Sequence, residues 1–65
     1  MKTYRHRFVK EYANYKTSVL EDLAKAFPEK AEPLNGRIIY INNLVQRWQD
    51  GLILTDECME LIAKA

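Results

Sequence analysis

From Tyr4 to Ala26 an apolar or aromatic residue recurs every three or four positions: Tyr4, Phe8, Tyr12, Tyr15, Val19, Leu23 and Ala26. That spacing places all seven on one side of an α-helix, because 3.6 residues make a turn. The pattern predicts a helix over residues 3–27, about 36 Å long at about 1.5 Å per residue. In a chain of 65 residues, one rod of that length dictates that the rest must pack alongside it. The stripe is expected to be its buried side. The other side, with Arg7, Lys10, Asn14, Ser18, Glu21 and Lys25, is expected to face water.

Two prolines and two glycines punctuate the remainder of the chain. Pro28 and Pro33 are expected to frame a polar loop, and Asn35-Gly36 and Asp50-Gly51 to mark turns. Between them Ile38, Ile41, Leu44, Val45 and Trp48 keep helical spacing, so a second helix is expected from near Gly36 to Gly51, which can adopt a left-handed cap. Ile39 falls off that stripe and Tyr40 sits at its edge. After the apolar connector Leu52-Ile53-Leu54, Thr55 is expected to cap a third helix, with Asp56 and Glu57 at its positive end and Cys58, Met59, Leu61 and Ile62 on its apolar arc. The fold class expected is all-α: one three-helix domain spanning residues 1–65 with a long N-terminal helix.

A chain this small often needs a staple. A disulfide framework is excluded by the single cysteine, Cys58. A structural zinc site needs four ligands in short paired spacings, and Cys58 and His6 are far apart. No metal and no cofactor is therefore expected. Helix packing or self-association must supply the stability.

Catalysis requires carboxylates or a histidine held in a sheltered cleft. His6 lies between Arg5 and Arg7, and nothing in the sequence orients its ring. Cys58 sits beside Asp56 and Glu57, which oppose a thiolate, so it reads as a small buried hydrophobe rather than a nucleophile. With no phosphate loop or nucleophile set, no enzymatic activity and no small-molecule substrate is expected. No apolar run of signal-peptide length occurs, which leads to the expectation of a cytoplasmic protein without a membrane span.

Two functions remain. The first is a protein-interaction or self-association module, of a kind that small size alone suggests for a bacterial, phage or mobile-element accessory protein. Its expected contacts are Tyr4, Phe8, Ile39 and Tyr40, its partner another protein or a second copy. The second is nucleic-acid association. Residues 1–16 carry Lys2, Arg5, Arg7, Lys10 and Lys16 against Glu11, a net charge of +4, whereas residues 17–65 carry −3. Lys2, Arg5, Arg7 and Lys10 interleave with aromatics, as in proteins that hold phosphates beside stacked bases. A helix-turn-helix docking through the third helix is opposed by Asp56, Glu57 and Glu60. Docking through Tyr40, Asn43 and Arg47, which share a face of the second helix, is the other nucleic-acid geometry open to the chain.

Overall fold

The computed structural model describes residues 6–65, with side chains from Phe8 onward. It is all-α: α1 (His6–Ala26), a 3-10 turn (Pro28–Lys30), α2 (Ala31–Gln49) and α3 (Thr55–Lys64). The molecule measures 40 × 19 × 16 Å, elongated because α1 runs nearly its whole length.

The corner after α1 follows from Pro28. The residue before a proline is pushed out of the helical region, and Phe27 accordingly has φ −128° and ψ 76°. Pro28 then opens a single 3-10 turn closed by Lys30 N–H donating to the Phe27 carbonyl at 2.9 Å, and α2 returns antiparallel to α1.

The second helix starts earlier than its sequence suggests. Pro33 lies in its first turn, where the missing N–H has no intrahelical partner to lose. Asn35 and Gly36 are helical rather than a turn. A glycine inside a helix costs about 1 kcal/mol relative to alanine; Leu34, packed on the core, recovers more by burial.

At its other end α2 stops on Gly51, whose φ is +79°. The Gly51 N–H donates to the Trp48 carbonyl at 3.1 Å and the Leu52 N–H to the Arg47 carbonyl at 2.9 Å. This nested pair satisfies carbonyls that the helix end leaves open.

The buried residues form one cluster: Val9, Ala13 and Leu20 from α1, Ile41 and Leu44 from α2, Cys58 and Ile62 from α3. Ile38, Val45, Trp48 and Ile53 pack against it, so the stripe read for the second helix is the one that is buried. For α1 the expected face is corrected. At about 100° per residue, Val9, Ala13 and Leu20 lie roughly 100° around the helix from Phe8, Tyr15, Val19 and Leu23. The smaller stripe faces inward because Val9 and Ala13 let α2 and α3 approach closely, whereas a row of rings would hold them apart. Tyr12 lies between the two stripes and is partly buried.

The start of α3 is also corrected. Leu54, in extended conformation (φ −77°, ψ 157°), holds the cap position with no side-chain capping bond, and Thr55 is the first helical residue. Its hydroxyl is engaged elsewhere, accepting a hydrogen bond from the Trp48 indole N–H at 3.0 Å. Asp56 and Glu57 do lie in the first turn, favourably placed against the helix dipole.

Candidate functional site

The length of α3 decides which surfaces are left open. Thr55 sits beside Trp48, and the Cys58 thiol points at the Leu44 carbonyl, with Sγ 3.7 Å from the oxygen. So α3 starts at the last turn of α2 and runs back along it. Its ten residues rise only about 15 Å, while the 21 residues of α1 rise about 31 Å. The half of the α1–α2 hairpin nearest the Pro28 corner therefore has no third helix over it.

On that bare half, and along the outer side of α1, lies a continuous apolar ridge. Phe8, Tyr15, Val19, Leu23 and Phe27 are all exposed, Tyr15 by 62% and Val19 by 39%. The rings of Tyr12 and Tyr15 stack at 6.5 Å between centroids and 13° between planes, which rigidifies the ridge near its middle. At the corner, the Lys30 ammonium lies 5.9 Å from the centre of the Phe27 ring. In α2, Trp48, Leu44 and Tyr40 form one i, i+4 row; α3 meets Trp48 and Leu44, and Tyr40 continues the row, 45% exposed.

The contacts expected from sequence are thus divided. Phe8 belongs to the ridge, and Tyr40 lies on α2. Ile39 is 61% exposed but points about 100° away from Tyr40, as adjacent helical residues must, so the two do not make one face. Tyr4 lies outside the described residues. Sequence reasoning misses Tyr15, Val19, Leu23 and Phe27 as surface residues; their helical spacing is equally that of a buried stripe, and only the competing small-residue stripe Val9, Ala13, Leu20 signals which one is enclosed.

Of the basic set, Lys2 and Arg5 lie outside the described residues, as does the Arg7 side chain. Lys10 is exposed and borders two openings. One is a cleft of about 650 Å³ whose walls include Trp48, Ile53, Leu54 and Thr55; the other is a smaller polar groove of about 210 Å³ with Asn14, Asn42 and Gln46. Among the described residues, the walls of the larger cleft carry no carboxylate, imidazole or thiol, so no acid–base pair faces it. No cluster of three His, Cys, Asp or Glu side chains able to hold a metal ion occurs among the described residues. None of their helices is long and apolar enough to cross a membrane.

Cys58 is fully buried, and burial pushes its thiol pKa up from the ordinary value. A protonated thiol is a poor nucleophile and a poor metal ligand, so the group serves as core. No family model matches the sequence, and neither curated proteins nor solved structures yield a match.

Proposed function

We propose that this chain is a non-enzymatic protein-interaction module that docks through the outer ridge of α1. The observation that carries the reading is the arrangement of that helix. Its small stripe is enclosed within the chain, while Phe8, Tyr15, Val19, Leu23 and Phe27 stand exposed in one row. Scattered exposed apolar residues are ordinary on a protein surface, but an unbroken row along a rigid helix is the form taken by helix-docking faces. Aromatic side chains, prominent here, are also the common anchors of such contacts.

Site-specific photo-crosslinking in the native host tests this reading. A benzophenone side chain at Tyr15 is expected to give one discrete adduct on illumination, and the same group at Glu21, on the solvated side of α1, none. Failure to form any adduct from Tyr15, Val19 and Leu23 in turn, with the protein present and helical, rules the reading out.

A further inference from the structure

We infer that the occupant of the α1 ridge is the α1 ridge of a second copy, laid antiparallel across a two-fold axis through Val19. The inference rests on the proposed docking role of that ridge and names its partner.

The pattern along α1 is self-complementary about that residue. With Val19 opposite the Val19 of the copy, Tyr15 falls opposite Leu23 and Tyr12 opposite Ala26, in both directions. Large side chains thus meet smaller ones, which a two-fold contact demands because the same patch supplies both sides. Charge does not oppose the register. No like-charged pair is brought level by this operation, whereas repulsion of like charges is the usual barrier to self-docking.

The shape of the molecule agrees as well. A specific interface needs about 800 Å² from each partner, and the whole surface is 4940 Å². Two helical ridges alone, about 28 Å long and roughly 10 Å wide, fall short of that. The missing area is available because α3 accompanies only the half of α1 that carries Val9 and Ala13. In the antiparallel pair the copy's α3 comes level with the bare corner half, where Leu23 and Phe27 stand exposed. Each copy brings its third helix to the stretch that the other leaves uncovered. The interface is at the small end of specific ones, so association in the micromolar range is expected.

Sedimentation or light scattering of the full chain over about 10 µM to about 1 mM tests this, with charge reversal at the axis as the diagnostic. The native chain is expected to approach twice its 7.7 kDa mass. Val19→Glu and Val19→Lys, each placing like charges face to face, are each expected to weaken self-association by at least about a hundredfold. Mixed in equal amounts, the two variants are expected to recover the dimer, because residue 19 meets only itself across the axis. Circular dichroism establishes that each variant remains helical.

Should either variant fail to fold, copper-catalysed air oxidation of Val19→Cys is expected to give a disulfide-linked dimer while Ser18→Cys does not; no link at position 19 overturns the inference. A native chain that stays monomeric at the highest concentration overturns it too. A native dimer that Val19→Glu leaves intact overturns this arrangement. In each of those outcomes a Tyr15 adduct heavier than two chains still supports docking to a foreign protein, so the two readings fail separately.

Discussion

Gly36 and Gly51 differ in what a side chain would meet. Neither has another atom within 4 Å of an added Cβ, but Gly36 is helical and Gly51 has φ +79°. Gly36→Ala should therefore raise stability by about 0.5–1 kcal/mol through reduced freedom of the unfolded chain. Gly51→Ala should lower it by about 1–2 kcal/mol, because the left-handed conformation crowds Cβ. Urea unfolding followed by circular dichroism reads both signs. Cys58 supports a further prediction. Its thiol should resist alkylation in the folded chain and react on unfolding. Because its folded pKa is raised, the stability this group contributes is fully present below the unfolded thiol pKa and is lost as pH rises through the folded value. Cys58→Ala should show a shallower alkaline decline than the native chain in the same titration of melting temperature against pH.

Among the elements, α3 is held by two buried side chains, Cys58 and Ile62, and by the indole bond to Thr55. Ile62→Ala removes one of those anchors and should cost about 2–5 kcal/mol; amide exchange should report α3 released or the whole chain unfolded. The three helices and the inward stripe of α2 are legible in the sequence because Ile38, Ile41, Leu44, Val45 and Trp48 have no apolar rival on their helix. The orientation of α1 is not, because two apolar stripes adjoin on it and Tyr12 belongs to both. Periodicity reports that a helix is amphipathic; it does not report which of two greasy sides a neighbour can approach, and Ala13 decides that by being small. Pro33 and Gly36 mislead for a related reason: both are local signals of a break, and burial of Leu34 across the hairpin outweighs them. Thr55 reads as a cap from its type alone, and only the position of Trp48, seven residues earlier, shows that its oxygen is already occupied. The candidate docking face is legible to the extent of Phe8, while the rest of the ridge reads as core until the competing stripe is placed, and Tyr40 lies apart from it on α2.

At the scale of the molecule, a seven-residue core among the described residues is small for holding three helices. Stability then has to be shared between that core and whatever covers α1. With the two-fold contact in place, the melting temperature should rise with protein concentration, since a partner that binds only the folded form stabilises it by mass action. Val19→Glu should abolish that dependence while leaving the dilute-limit value nearly unchanged; calorimetry at two concentrations checks both.

The short corner between α1 and α2 has a consequence for how copies can exchange parts. Hairpins joined by few residues are prone to domain swapping, in which the joint straightens and each long rod inserts its far half into another molecule. Here the joint resists straightening. Pro28 would collide with the carbonyl of Ala24 in a continuous helix, and Pro33 with that of Glu29. The two rings thereby keep each chain's hairpin closed on itself. Replacing both with alanine should populate an opened, intertwined form, visible in small-angle scattering as particles much longer than the native 40 Å.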